Sequence, residues 1–222
     1  MQQREKEAAA RYAVEHYVRD GMTLGLGTGS TAALALEYIG SGGYRDLRGV
    51  PTSEAAAALA RSVGIPLVEL TDVSHVDLTL DGADEVSPAL ALIKGGGGAL
   101  LREKLVAEAS RQMVVMADSS KLVPQLGRFP LPVEVIPFCW KQIHAKLQAL
   151  RLSPVLREKS GVSVRTDEGN FLLDCHCGVI DNPGWLAREL KAMAGVVEHG
   201  LFIRQATRVV LATASTVRVL DR

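Results

Sequence analysis

The chain has 222 residues, and its 47% hydrophobic and 23% charged content is typical of a globular protein with a sizeable core. Its 25 Lys and Arg balance 25 Asp and Glu, and a net charge of zero argues against nucleic acids and anionic membranes as partners. No stretch approaches the roughly 20 apolar residues of a spanning helix, and three cysteines cannot form a disulfide framework, so we expect a cytoplasmic protein.

The first two thirds of the chain alternate between helix-like and strand-like segments. In chain order the pattern predicts a helix over 4–18, a strand over 22–26, helices over 32–39 and 53–62, strands over 66–70 and 76–80, a helix over 100–110 and a strand over 113–116. Strands that alternate with helices indicate a parallel sheet with helices on both faces. Ligands of such sheets bind at the carboxyl ends of the strands.

Three prolines, Pro130, Pro132 and Pro137, mark a change of character. They flank a strand predicted over 133–136, and beyond them the pattern predicts a helix over 140–150, a hairpin of 162–166 with 171–177, a helix over 185–193 and a strand over 196–202. This β-α-β-β-α-β order is ferredoxin-like. Two last strands, 209–211 and 217–219, are expected to return to the first sheet. The sequence therefore predicts an α/β protein: a Rossmann-like parallel-sheet domain (1–127 and 206–222) with an inserted α+β lobe (128–205).

A glycine-rich loop, 25–31, follows the first predicted strand and precedes a helix. Glycines let backbone N–H groups converge on an anion, and Ser30 or Thr31 can cap the helix and donate a hydroxyl. No Lys precedes the Ser and Thr as in a Walker A loop, and the third glycine comes too early for a dinucleotide fingerprint. The loop therefore favours a phosphate monoester, although a tight strand-to-helix turn is the purely structural interpretation.

A second loop, 81–85, follows the strand predicted over 76–80 and carries Asp81, Asp84 and Glu85. Carboxylates placed close together can hold different pKa values and divide acid and base roles. A Mg²⁺ site is one alternative, because hard cations take carboxylate oxygens. A solvated acidic turn is the other.

A third loop consists of Lys94 and four glycines at 95–98, and a helix follows. Each glycine costs roughly 0.5–1 kcal/mol relative to Ala in regular structure, which indicates close approach to a ligand or another backbone. Glu103 lies early in the helix and either faces back toward the loop or only complements the helix dipole. Lys121 follows another predicted strand and could reach an anion. Cys175-His176-Cys177 has no second ligand pair at zinc spacing, which disfavours a metal site.

The motifs at 25–31, 81–86, 94–104 and 118–121, in this order and spacing, resemble those of ribose-5-phosphate isomerases of the A type. The similarity continues through 129–137 and 200–202, and the segment 94–104 is highly specific. The resemblance implies a Rossmann-like domain with an α+β insertion, assembly as a homodimer or homotetramer, a phosphosugar substrate, and catalysis without metal or organic cofactor.

Site residues also follow from the resemblance. It implies that substrate, at its phosphate end, is held by Thr28, Gly29, Ser30 and Thr31. The sugar would be surrounded by two segments, Asp81, Gly82, Ala83 and Asp84 together with Lys94, Gly95, Gly96 and Gly97. Lys121 would contact the substrate and Glu103 would be the catalytic base. The family often adds an N-terminal lysine, but Glu7 follows Lys6 here, and that contact is not transferred.

The chemistry agrees with these assignments. Interconversion of an aldose and a ketose moves a proton between C2 and C1 through an enediolate, which needs one base and a partner for the oxyanion. Glu103 would be that base, Lys94 the oxyanion partner, and Asp81 and Asp84 would shuttle protons. The resemblance thus implies a place in the pentose phosphate pathway. Two alternatives are a phosphosugar-binding regulatory module, which would need a DNA-binding helix-turn-helix, and an aminosugar-phosphate deaminase, which would need a histidine in these loops.

Overall fold

The computed structural model describes all 222 residues. None of its helices has the length and apolar character that crossing a membrane requires. In chain order the helices and strands are α1 (Gln2–Tyr17), β1 (Thr23–Leu26), α2 (Ser30–Ser41), β2 (Arg48–Pro51), α3 (Glu54–Ser62), β3 (Val76–Gly82), β4 (Glu85–Val86), β5 (Leu92–Ile93), α4 (Leu100–Glu108), β6 (Ser110–Asp118), β7 (Leu131–Val135), α5 (Trp140–Ala149), β8 (Pro154–Leu156), β9 (Glu158–Lys159), β10 (Val162–Ser163), β11 (Phe171–Cys175), α6 (Pro183–Lys191), β12 (Val196–His199), β13 (Leu201–Phe202), β14 (Arg208–Ala212) and β15 (Val217–Asp221).

The chain forms two compact units. The first unit comprises Met1–Ala83, Arg102–Leu122 and Arg204–Arg222, and the second unit comprises Asp84–Leu101 and Val123–Ile203. The first unit contains a six-stranded sheet of order β15-β14-β6-β3-β1-β2, in which every pair is parallel except the last hairpin, β14 with β15. This confirms the predicted parallel sheet and the return of the two C-terminal strands to it.

The apolar faces of α1 and α2 cover this sheet. Their buried side chains join those of the strands in one core, which includes Ala9, Ala13, Leu24, Leu36, Ile39, Leu80, Val114, Met116 and Val210. Alanines suit this face of α1 because alanine has a high helix propensity and its small side chain lets the helix pack closely against its neighbours. In α3 the predicted start is confirmed, since the Ser53 side chain accepts a hydrogen bond from the Ala56 N–H at 3.0 Å.

The strand predicted over 66–70 is wrong. Leu67 forms only an isolated parallel bridge with Gly49, and a 3₁₀ turn follows at Leu70–Asp72. The edge of the sheet is instead β2, which the sequence pattern missed because Gly49 and Pro51 are poor strand formers. An edge strand tolerates a proline because one side of its backbone needs no ladder hydrogen bonds.

The second unit contains a four-stranded antiparallel sheet of order β12-β7-β11-β8. Along the chain these strands alternate with helices as β7-α5-β8-β11-α6-β12, which confirms the predicted ferredoxin-like order. The core under this sheet contains Val133, Val135, Ile143, Leu147, Leu173, Leu186 and Leu190.

The predicted hairpin of 162–166 with 171–177 is largely wrong. β10 pairs with β9, whereas β11 pairs with β7 and β8. Only the turn survives, with a bridge between Arg165 and Phe171 and a 3.0 Å hydrogen bond from Thr166 N–H to the Asn170 carbonyl. The turn residues correctly predict where the chain reverses. The strands that pair with β11, however, come from segments farther away along the chain.

The strand predicted over 196–202 is two strands in different sheets. β12 belongs to the four-stranded sheet, and β13 joins β5 and β4 in a three-stranded sheet. The break falls at Gly200, whose N–H donates to the Pro132 carbonyl at 2.8 Å. A Cβ at this position would lie 2.2 Å from the Lys94 carbonyl oxygen, so the close approach of the two backbones requires glycine.

Glu134 is a buried acid on β7, with 1% of the residue exposed. Its Oε1 accepts hydrogen bonds from Thr166 Oγ1 (2.8 Å) and Asn170 Nδ2 (2.9 Å), and its Oε2 has no partner. Burial raises the pKa of this carboxyl, and Glu168 and Glu198 also raise it, whereas the two hydrogen bonds lower it.

We expect Glu134→Gln to alter the pH dependence of stability. A carboxyl whose pKa is raised by folding holds its proton to higher pH in the folded state than in the unfolded chain. The free energy of unfolding therefore falls as pH rises from the unfolded pKa of 4.5 through the folded pKa. The variant lacks this loss, so its stability relative to wild type should improve across that window. Urea unfolding at several pH values measures this, with exposed Glu189→Gln as control, and parallel profiles for Glu134→Gln and wild type would contradict the prediction.

Candidate active site

The loop between β1 and α2 is tied to neighbouring loops of the first unit. Thr28 N–H donates to Asp81 Oδ1 at 3.1 Å, and the Thr28 hydroxyl lies 2.8 Å from the hydroxyls of both Thr52 and Ser53. A Cβ on Gly27 would lie 2.3 Å from Asp81 Oδ1, so only glycine permits this contact. Thr28 is therefore held in place by its own hydrogen bonds, and the loop turns at a fixed position.

The N-terminus of α2 has no side-chain cap. Gly29 is the N-cap residue, with φ of +103°, and no side chain accepts a hydrogen bond there. The prediction that Ser30 or Thr31 caps the helix is therefore wrong, and Ser30 is an exposed first-turn residue. The first N–H groups of the helix, at the positive end of its dipole, point toward a position where an anion would bind favourably.

Lys6 of α1 contributes a cation beside this helix N-terminus, since its Nζ lies 3.0 Å from Ser30 Oγ. Sequence reasoning passed over Lys6 because Glu7 follows it. Adjacent helical residues point in different directions, and Glu7 instead accepts a 3.1 Å hydrogen bond from Gln3 within its own helix. The helical spacing of these residues is the signal that could have identified Lys6.

Asp81 lies on β3, which extends two residues beyond the predicted end of the strand. Its side chain is fully buried, and Oδ1 accepts hydrogen bonds from the N–H groups of Thr28 and Gly82, at 3.1 and 2.8 Å. Asp81 thus links the loops that follow two adjacent parallel strands, β1 and β3. This fixes the carboxylate at the carboxyl end of the sheet.

Glu103 lies in the first turn of α4 and is only 3% exposed, whereas Glu108 in the last turn of the same helix is exposed. Interaction with a helix dipole stabilises a carboxylate by about 0.3–1 kcal/mol, less than burial of a charge typically costs. Helix-dipole stabilisation alone therefore does not explain why a carboxylate is buried here.

Lys121 ends a 3₁₀ turn that follows β6. The turn is fixed at two points: Asp118 accepts from Ser120 N–H at 3.1 Å, and Glu5 accepts from Ser119 N–H at 3.0 Å. Lys121 therefore stands at the carboxyl end of a third parallel strand of the first unit.

In the second unit, Asp84 and the glycine loop form a connected group. Asp84 Oδ2 accepts a hydrogen bond from Gly96 N–H at 2.8 Å, and a Cβ on Gly96 would lie 2.6 Å from Asp84 Oδ1. Gly95 and Gly98 adopt φ values of +101° and +82°. Three of the four glycines are therefore required by close approach or by backbone conformation.

Lys94 precedes these glycines and is buried. Its N–H donates to the Gly200 carbonyl at 2.9 Å, and its Nζ lies 5.6 Å from the centroid of the Phe202 ring. The ring face attracts the ammonium and orients it. The lysine is thus a fixed cation next to the glycine loop along the chain.

The cysteine and histidine cluster does not form a metal site. Cys175 is buried, His176 is exposed, and burial raises the pKa of the Cys177 thiol to about 11. Cys175 is the last residue of β11, and His176 and Cys177 lie beyond the end of the strand. Nowhere in the chain do three or more His, Cys, Asp or Glu side chains cluster as metal ligands would.

The first unit has polar residues at the carboxyl ends of three parallel strands, together with an uncapped helix N-terminus beside a lysine. These features are typical of α/β proteins that bind a small anionic molecule at the carboxyl edge of a parallel sheet. The family model described as ribose 5-phosphate isomerase A (phosphoriboisomerase A) matches residues 48–216. A ribose-5-phosphate isomerase A from Chloroflexus aurantiacus is 52% identical over 208 residues, which cover 91% of this chain and 87% of the relative.

Solved structures agree over the full length. A D-ribose-5-phosphate isomerase in complex with phospho-erythronic acid is 38% identical, with a TM-score of 0.97 and complete coverage of both chains. Ribose 5-phosphate isomerase A from Methanocaldococcus jannaschii is 39% identical, with a TM-score of 0.93 and 99% coverage of both chains. The chain belongs to the ribose 5-phosphate isomerase A family, and it is an isomerase.

Proposed function

We propose that this protein interconverts D-ribose 5-phosphate and D-ribulose 5-phosphate, a step of the pentose phosphate pathway, with Glu103 as the base. The proposal is carried by the full-length similarity to an isomerase bound to phospho-erythronic acid. Such a molecule joins a carboxylate to a phosphate through a short polyol, as an enediolate of a sugar phosphate joins its reacting end to a phosphate.

The proton transfer begins on the open-chain aldose. The Glu103 carboxylate removes the proton from C2, the C–H electron pair forms a C1–C2 double bond, and the carbonyl electrons move to O1. The Lys94 ammonium stabilises the negative charge on oxygen in this enediolate. Glu103 then returns the proton to C1, the O2 hydroxyl proton is transferred to O1, and C2 becomes the carbonyl carbon of the ketose. Asp81 and Asp84 move protons among O1, O2 and the ring oxygen.

The phosphate has a separate site in this proposal. Ser30 and Thr31, with the N–H groups of the first turn of α2, would bind it, and Lys6 would add a positive charge because its Nζ already lies 3.0 Å from Ser30 Oγ. Thr28 and Gly29 would shape this loop. Lys121 would contact the substrate, and Gly82, Ala83 and Gly95 to Gly97 would surround the sugar. We also propose the cytoplasmic location and the homodimer or homotetramer that the sequence predicts. Light scattering would measure the number of subunits in the assembly.

The direct test is incubation of the purified chain with ribose 5-phosphate and detection of ribulose 5-phosphate. We expect turnover toward an equilibrium mixture from either side. When the reaction runs in D₂O, deuterium should enter C1 of the ketose to the extent that the proton on Glu103 exchanges with solvent. Absence of turnover with both pentose phosphates would overturn the proposed function.

We expect turnover to survive exhaustive chelation. The carboxylates of Asp81 and Asp84 accept backbone N–H groups, at 2.8 Å from Gly82 and from Gly96, rather than joining further oxygen ligands at metal spacing. The measurement compares kcat before and after chelation, with addition of Mg²⁺ as the control. A loss that Mg²⁺ restores would contradict the prediction and favour a metal bound by the two aspartates.

A further inference from the structure

The glycine loop of the second unit has no side chains of its own to hold its shape. Four consecutive glycines lose more conformational entropy on ordering than any other sequence of that length. Within the loop the Gly98 N–H donates to the Gly95 carbonyl at 3.0 Å, so a fixed direction for the N–H groups of Gly96 and Gly97 must come from partners outside the loop. Asp84 is one such partner, through Gly96 N–H.

The second partner is Arg157, between β8 and β9. Its Nη1 donates to the carbonyl oxygens of Gly95 (3.0 Å) and Gly96 (3.2 Å), 62 and 61 residues away along the chain. The other side of the guanidinium forms a two-point pair with Asp174 of β11: Nε lies 2.8 Å from Oδ2, and Nη2 contacts Oδ1. One rigid, planar group thus joins a strand of the sheet to two consecutive peptides of the loop.

Because a peptide group is planar, a contact that fixes a carbonyl also fixes the N–H of the next residue. Fixing the Gly95 carbonyl fixes the Gly96 N–H, which donates to Asp84, and fixing the Gly96 carbonyl fixes the N–H of Gly97. Gly97 is exposed, and its N–H has no hydrogen-bond partner within the chain. The Gly97 N–H is therefore a donor held in one direction toward solvent, three residues after Lys94.

We propose that Arg157, held by Asp174, is a positioning residue for the isomerisation, because it fixes the peptides of Gly95 to Gly97 so that the Gly97 N–H donates to a substrate oxygen. This inference rests on the proposed function for its kinetic consequence. Arg157 itself touches no reacting atom in this scheme. Its effect passes through the loop, so it should act on the sugar end of the substrate and leave phosphate binding unchanged.

The test compares Arg157→Gln with Arg165→Gln. Arg165 is a matched control in the same unit, since its Nη1 also donates to a loop carbonyl, that of Gly169, at 2.7 Å. We expect kcat/KM per folded molecule to fall by about 10²-fold in Arg157→Gln, as small misplacements of substrate-binding groups can cause, and to stay within about threefold in Arg165→Gln. The inhibition constant of inorganic phosphate should stay within about threefold in both. Arg157→Lys, which keeps the charge without the fork, should recover only part of the loss.

Amide hydrogen exchange provides a readout that does not depend on activity. In Arg157→Gln the N–H groups of Gly96 and Gly98 should exchange at least about tenfold faster, and in Arg165→Gln at the wild-type rate. If Arg157→Gln does not fold, Asp174→Asn decides the question by both readouts, because it removes only the anchor of the arginine. Unchanged exchange and kcat/KM, or equal losses in the Arg165 control, would overturn the inference. If Arg157→Gln exchanges faster but the wild-type protein itself does not turn over ribose 5-phosphate, the proposed function is rejected and the role of Arg157 in holding the loop is not.

Discussion

Glu103→Gln is expected to abolish turnover while substrate affinity stays within about tenfold of wild type. The amide keeps the shape of the buried side chain and part of its hydrogen bonding, but it cannot accept a proton. A general base typically contributes 10²–10⁴-fold, and the loss here should lie at or beyond the upper end, because proton abstraction is the whole reaction.

Glu108→Gln is the matched control for this variant. It makes the same change on the same helix, α4, at an exposed position five residues away, and it should retain wild-type kcat. Thermal unfolding of both variants shows whether loss of a buried charge has altered the fold. If Glu103→Gln kept more than about a tenth of wild-type kcat, another group would be the base.

Ser30→Ala combined with Thr31→Ala is expected chiefly to raise KM for ribose 5-phosphate. The hydroxyl donors that it removes act on a phosphate that does not change during the reaction, so ground state and transition state lose similar binding energy. Each hydrogen bond to a charged group contributes about 1.5–3 kcal/mol, which predicts a fall in kcat/KM of about tens- to thousands-fold. The N–H groups of α2 and the Lys6 ammonium limit the loss.

Inorganic phosphate as a competitive inhibitor isolates this effect from the chemistry. Its inhibition constant should rise in the double variant and stay at the wild-type value in Ser41→Ala, which changes a hydroxyl at the other end of the same helix. Equal inhibition constants in wild type and double variant would show that the loop at 28–31 does not hold the phosphate. Lys121 or the segment 94–97 would then be the next candidates.

The sequence alone determined those features that depend on neighbours along the chain. The alternation of apolar segments predicted most elements of the first sheet, Ser53 marked the start of α3, and the order of segments from Val133 onward predicted the ferredoxin-like arrangement. Glycine-rich and acidic loops identified Lys94 and Asp81 as candidates, and Glu103 was a candidate because it lies early in the helix that follows the glycine loop. Such patterns are read from local propensity and periodicity, which need no tertiary partner.

Only the tertiary structure decided which segments pair. The turn at 167–170 is local, yet β11 forms its ladders with β7 and β8, and Leu67 gains just one bridge where a strand was expected. The physical reason is that a strand is defined by hydrogen bonds to a partner, whereas a helix makes its hydrogen bonds internally. The same reason applies to the site: Lys6 reaches Ser30 across 24 residues and Arg157 reaches Gly95 across 62, and no local pattern encodes such separations.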